Sequence, residues 1–420
     1  MKKVTITLEQ QTPMLHFDKT PGATLRATEV KPKLDRYLIG HLFPENFQSF
    51  LVPNAEGCRA LDYKIRIRGN TTEQPNDIQN LRSTPMFFGN TGTETIKYLA
   101  DSKGSIYMDL IFCSEAFCTW LDNAEHCWDL AECLYQFFFL NNFGTRKTKG
   151  YGGFLVKQIK RSWAKGEIEN YEPYVDDLAD AVRENGDCDG FLHFPLEAQS
   201  FESAMKRVQW FYQSLRQGLN VYGRQGQLFY MKPMIFLYAR SKGVQWEKKT
   251  VKENFLRAQL ENEARRHNED DSPVVFSSPD KRMVKTVFGM SSNEDWVKSN
   301  PRIRITISDN EADETRKFDR IPSPLTFKLF RREDTHSYDV YVIVKDNYQD
   351  IRNKQFMITE SKSHETLPAP LSVIDNFSWS DFWDFVQKYN VEDAMTCHDS
   401  HGRDIYDTLV EIYKNLTIRI

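Results

Sequence analysis

The chain has 420 residues, 40% of them hydrophobic and 27% charged, the composition of a folded globular protein long enough for two domains. Its formal net charge of -4 excludes a uniformly basic surface, so any nucleic-acid contact must draw on positive charge that is concentrated locally and balanced elsewhere. No apolar run approaches a membrane span, no signal-peptide pattern opens the chain, and seven cysteines without a CxxC pair fit a reduced, cytoplasmic setting.

Val4, Ile6 and Leu8 alternate with Thr5, Thr7 and Glu9, the period of a half-buried strand. After a turn near Pro13, Pro32 suits the first turn of a helix that Leu34, Tyr37, Leu38 and His41 continue at helical spacing. Residues 61–68 alternate again, with Tyr63, Ile65 and Ile67 on one face and Lys64, Arg66 and Arg68 on the other. An apolar strand follows at 106–112, a strongly apolar helix at 125–140 and a strand at 154–159. That order predicts a ferredoxin-like domain over residues 1–165, an antiparallel sheet with helices on one face.

Between residues 167 and 189 lie nine acidic residues and one basic residue, Arg183, so 166–200 reads as an acidic linker or an inserted acidic helix. The remainder, 201–420, repeats the theme more loosely. An amphipathic helix at 201–217 stops at Gly218, a strand is expected at 234–238 and a charged surface helix at 251–267. Strands at 302–307, 326–330 and 338–344 precede closing helices at 380–389 and 403–414. The expected fold class is α+β: two tandem ferredoxin-like domains with antiparallel sheets and helical insertions.

The most informative segment is Asn142-Phe143-Gly144-Thr145-Arg146-Lys147-Thr148-Lys149-Gly150-Tyr151-Gly152-Gly153-Phe154. Glycines free the backbone to approach phosphates and offer them N–H groups, while Arg146, Lys147 and Lys149 supply charge at the same place. From Arg146 to Lys165 there are seven basic residues and no acidic one, a local patch that the following acidic run hides in the net charge. The same composition also suits a glycine-rich turn with solvated lysines. No Gly-Lys-Ser/Thr ends the loop, which excludes a Walker A motif, and a helix before it and a strand after it exclude a dinucleotide fingerprint.

This loop resembles the glycine-rich loop of the RAMP superfamily of CRISPR RNA-binding proteins, and within it the chain resembles the family of subunit one of the type III-B (Cmr) effector complex. Supporting segments occur in order. They are Thr12-Pro13-Met14 with Ala23 to Tyr37, Lys281-Arg282 with Val287-Phe288-Gly289, and Arg320-Ile321-Pro322-Ser323-Pro324-Leu325-Thr326-Phe327-Lys328. Pro32 stands where that family commonly has glycine, and Asp35-Arg36-Tyr37 replaces a run richer in arginine and tryptophan. The resemblance implies two RAMP (RRM-like) domains and a non-catalytic guide-RNA-binding and assembly role near the crRNA 3′ end, supporting target RNA recognition in antiviral defence. The implied partners are crRNA, target RNA and other Cmr subunits. No cofactor, metal or membrane is expected.

RNA contact is accordingly expected at Arg26, Lys31, Lys33 and Arg36 on the first helix, and at Lys64, Arg66 and Arg68 on the second strand. In the loop it is expected at Gly144, Arg146, Lys147, Lys149, Gly150, Tyr151, Gly152 and Gly153, and downstream at Arg282 and Lys285. The helix cluster also suits a solvated face paired with Glu29 and Asp35. His16 and His41 raise a rival reading, a metal-independent endoribonuclease of CRISPR transcripts with histidine as general acid or base. Cys113, Cys118, His126, Cys127 and Cys133 crowd one region at spacings that match no standard zinc pattern, and Cys397, His398, Asp399, His401 and Asp404 look ligand-like but suit the turn before the last helix.

Overall fold

A computed structural model describes residues 1–16, 25–43, 45–53, 59–69, 98–100, 104–163, 173–224, 226–256, 280–291, 293–296, 301–308, 320–332 and 336–420. The expectations placed on 22–24, 167–172 and 257–267, and on the side chains of His16 and His401, lie outside the described residues. The chain divides into two compact units, Met1–Lys206 with Thr326–Ile343, and Arg207–Leu325 with Val344–Ile420.

The first unit opens with β1 (Lys2–Gln10), α1 (Ala27–His41), β2 (Tyr63–Arg68), β3 (Ile106–Phe112), α2 (Ala124–Leu140) and β4 (Phe154–Arg161). The strands lie in the order β2-β3-β1-β4 and every neighbouring pair is antiparallel, the ferredoxin-like arrangement. Register explains the alternation in the sequence. Val4 and Ile65 both stand opposite Leu110, and Ile6 and Ile67 opposite Met108, so these apolar residues share the face that the helices cover. Thr5, Asp109 and Arg66 stand opposite one another on the other face.

Helix α1 buries Val30, Leu34 and Leu38. It starts at Ala27, so Pro32 lies in the second turn and not in the first as the sequence suggested, and there it forfeits the backbone bond to the Thr28 carbonyl. Helix α2 is capped by Asn123, whose side chain accepts the Glu125 N–H, and its second half, Cys133–Phe139, is buried all round for a structural reason. Leu130, Ala131 and Leu134 face the first sheet, near Val4 and Ile159. On its other side Phe139 stacks on Phe330 at 5.9 Å and meets Tyr341 at 5.7 Å. Fully burying each such phenylalanine contributes about 1.5–3 kcal/mol.

Phe330 and Tyr341 belong to a second sheet, in which β5 (Gly190–Glu197), β6 (Leu325–Arg331) and β7 (Ser337–Val344) lie side by side in the order β6-β7-β5. The acidic segment contains helix α3 (Val175–Glu184), which turns Leu178, Ala179 and Val182 into the core and leaves Asp176, Asp177 and Glu184 exposed.

The second unit is also α+β. Strands Leu219–Gly223, Gly226–Met231 and Met395–Cys397 form one antiparallel sheet, and Asn293–Trp296, Ile303–Ser308, Gln355–Glu360 and Leu371–Ser372 form another. The apolar run at 234–238 is not a strand: it belongs to the helix Met234–Ser241, which begins after Pro233 and buries Met234, Ile235, Tyr238 and Ala239. The charged segment forms a helix over Glu247–Phe255. Helices Trp379–Lys388 and Arg403–Lys414 close the chain as expected. No helix among the described residues is long and apolar enough to cross a membrane.

Candidate nucleic-acid interface

The glycine-rich loop joins the end of α2 to the start of β4 as a braced turn. Gly144, Gly150 and Gly152 have φ of 80°, 92° and 70°. A Cβ on Gly152 would sit 1.9 Å from the Phe143 carbonyl oxygen, closer than any side chain allows. All four glycine N–H groups are used within the chain. Gly144 donates to Glu29 Oε1 at 2.9 Å, Gly150 to the Lys147 carbonyl at 3.5 Å, Gly152 to the Pro13 carbonyl at 2.9 Å and Gly153 to Thr12 Oγ1 at 2.8 Å. The Asn142 side-chain amide adds bonds to the carbonyls of Lys147 (2.7 Å) and Phe327 (2.9 Å).

The expectation that these glycines present free N–H groups to phosphate is therefore corrected. Gly144, Gly150, Gly152 and Gly153 shape the loop and bond the protein itself. Tyr151 is corrected too: its ring is fully buried and edge-on to Phe201 at 5.4 Å, so it has no face for a base. What the loop offers outward is charge. Lys147 is exposed, while Arg146 and Lys149 are half-buried.

Glu29, in the first turn of α1, connects the loop to the helix cluster. Besides accepting the Gly144 N–H, it pairs with Lys33 at 3.1 Å. Lys33 lies over the Phe143 ring at 4.5 Å. Burial pulls Lys33 below the ordinary lysine range, Glu29 opposes that, and the charge of nearby Lys147 pushes it further down. Two clusters that are separate in sequence thus meet at Lys33 and Lys147. Arg36, one turn beyond Lys33, is exposed with no ion-pair partner among the described residues. Arg26 is exposed at the helix N-cap.

Lys31 turns the other way. It pairs with Asp35 at 2.8 Å, donates to the Leu61 carbonyl at 2.8 Å and lies over the Tyr63 ring at 4.1 Å, so it fastens α1 to the entry of β2. Lys64, Arg66 and Arg68 are exposed on the sheet face away from the helices. Arg68 pairs with Asp109 at 3.0 Å, whereas Lys64 and Arg66 have no ion-pair partner among the described residues. The first-domain candidates therefore form two patches on opposite faces of one sheet, which the sequence did not distinguish. Arg282 and Lys285 lie in the second unit and are neutralised there, Arg282 by Asp280 and Asp375, Lys285 by Glu294.

His41 is held at both ring nitrogens. Nδ1 bonds the Tyr37 carbonyl at 2.9 Å, Nε2 meets Asp187 at 3.0 Å, and the ring stacks on Tyr37 at 4.0 Å. The bond to Asp187 raises its pKa against the opposing effect of burial. Among the described residues, no three His, Cys, Asp or Glu side chains gather in a metal-binding arrangement.

Two family models match this chain in order: the Cmr1 N-terminal domain over residues 1–219 and the Cmr1 C-terminal domain over residues 230–411. The chain belongs to the Cmr1 family. Membership bears out the resemblance read from the glycine-rich loop and the segments that accompany it. A comparison with curated proteins gives no match. A solved structure, described as the cryo-EM structure of the Type III-B Cmr-beta bound to cognate target RNA and AMPPnP, state 2, in the presence of ssDNA, aligns with 81% of this chain and 94% of that chain. The identity is 10% and the TM-score 0.36. In this Cmr1-family chain the brace around Asn142, Glu29 and Gly152 was the part hidden from sequence reasoning. Its one visible signal was the run of glycines itself.

Proposed function

We propose that the chain is a non-catalytic guide-RNA-binding and assembly subunit of a cytoplasmic type III-B (Cmr) CRISPR effector complex, placed near the crRNA 3′ end and supporting target RNA recognition in antiviral defence. Its partners in this reading are crRNA, target RNA and other Cmr subunits. Family membership supports the complex. The RNA contact rests on one geometry: Glu29 accepts the Gly144 N–H and pairs with Lys33, which brings the cations of α1 and of the glycine-rich loop to one place, and Arg36 one turn on has no ion-pair partner among the described residues. A phosphate supplies the missing anion at such a place, positioning the strand without reading its sequence.

His41 supports the non-catalytic part, because both of its ring nitrogens are already bonded to the protein. The test is recovery of the tagged chain from its native host, followed by identification of what comes with it. Other Cmr subunits and guide RNA are expected, with guide RNA reduced for the Arg36→Ala, Lys147→Ala double variant. Site-specific cleavage of repeat RNA by the purified chain without metal overturns the reading.

A further inference from the structure

The sheet face away from the helices forms a surface that the loop and α1 do not share. Tyr107 on β3 is 42% exposed there, although tyrosine is a side chain that folding usually covers. It stands opposite Arg68 on β2, whose guanidinium lies 5.9 Å from the ring centroid. The adjacent row across the sheet carries Lys160, Thr5, Asp109 and Arg66 on four successive strands, so Lys160 and Arg66 begin about 14 Å apart at the usual strand spacing. Asp109 does not oppose that charge. It is buried, and its carboxylate accepts from Thr5 at 2.8 Å and from Arg68 at 3.0 and 3.1 Å. Lys64 and Arg66 remain exposed and without ion-pair partners among the described residues.

We infer that this face is a second nucleic-acid site, on which an unpaired base of single-stranded RNA stacks on Tyr107 while Lys64 and Arg66, both to one side of that ring along β2, hold the successive phosphates next to it. The inference rests on the RNA-binding reading above and adds to it a site on the opposite side of the sheet from Lys147. A duplex offers no free base face to a ring on a sheet, and a single strand does. An acidic peptide would meet the cations but has no use for an exposed ring beside them. Charge and aromatic surface together favour the single strand.

The test uses the full chain and a fluorescein-labelled uridine 12-mer, with affinity measured across a salt series. Tyr107→Ala should weaken binding by roughly tenfold, within the range for loss of one base–aromatic stack, at unchanged salt slope. Tyr107→Phe should bind as the wild type does. Lys64→Ala with Arg66→Ala should flatten the log–log salt dependence by about 1.4, for two phosphates on a single strand. These side chains are exposed, and unchanged melting temperatures will confirm that the variants fold. Unchanged affinity in Tyr107→Ala alongside weakened binding in Lys147→Ala overturns this inference and leaves the proposed function standing. Binding of a polyglutamate peptide that is lost with Lys64 and Arg66, while RNA binding is not, makes the face a protein-docking surface and also overturns it. Failure of the wild type to bind the 12-mer overturns it as well, whatever the complex recovered from the host contains.

Discussion

The Glu29 carboxylate accepts the backbone N–H of Gly144 at 2.9 Å, across 115 residues of sequence. That one bond fixes the first turn of α1 against the glycine-rich loop and sets where Lys33 and Lys147 meet. Glu29→Ala removes the acceptor and leaves Lys33 without its ion-pair partner, so it should lower stability by about 1.5–3 kcal/mol, the usual range for a hydrogen bond to a charged group. Glu29→Gln keeps an oxygen for Gly144 and should recover most of that loss. Urea unfolding of the three proteins decides it, and an alanine variant with wild-type stability would refute the brace.

Gly152 and Lys147 sit five residues apart and should respond in opposite ways. Gly152→Val places a Cβ against the Phe143 carbonyl at a backbone angle of φ 70°. A loss of several kcal/mol is expected, about 1–2 of it from the backbone angle alone, and RNA binding would fall only because the fold does. Lys147→Ala should melt as the wild type and lose RNA affinity. Melting temperature and affinity measured together separate the two effects, and a stable Gly152→Val protein would contradict the clash.

Lys328 carries a pH prediction. It is buried, and its ammonium group donates to the carbonyls of Phe138 (2.9 Å) and Asn141 (3.0 Å) at the end of α2. Burial pushes its pKa down to about 7. An unfolded lysine titrates near 10.4, so between about pH 7 and 10.4 unfolding takes up a proton, and stability contributed by this group rises with pH. Relative to Lys328→Met, the wild type should gain about 2 kcal/mol from pH 7 to pH 9. Parallel stability curves for the two proteins would show that the group does not titrate there.

His41 works with the opposite sign. The Asp187 bond raises its folded pKa, so its contribution is complete below about pH 6.5, the unfolded value, and is lost as pH rises through the folded one. The melting-temperature gap between wild type and Asp187→Asn should therefore be widest below about pH 6.5 and narrow as pH rises through the folded value. A gap independent of pH would mean that His41 stays neutral throughout.

Much of the first sheet was legible because one physical cause, burial on a single face, writes itself as alternation. Val4, Ile6 and Leu8 show this, as do Ile65 and Ile67. The helix Met234–Ser241 was misread because a run of five apolar residues fits either a buried strand or a buried helix, and its 3.6-residue period appears only with Ala239 included. Pro32, a good first-turn residue, sits one turn deeper in α1 than its preference suggests. In the loop, composition showed charge and glycine but not direction. Tyr151 and Tyr107 look alike in sequence, yet one is fully buried and the other is 42% exposed, a difference made by packing partners such as Phe201.

The return of Thr326–Ile343 to the unit that begins at Met1 has a consequence for synthesis. A ribosome adds about 5–20 residues per second, so once Lys206 has emerged about 7–28 seconds pass before β6 and β7 are complete. Throughout that interval Phe139 lacks Phe330 and Tyr341, and the carbonyls at the end of α2 lack Lys328. The N-terminal part of the chain is thus made first and finished late, and a nascent chain released at residue 219 carries an apolar helix with one side open.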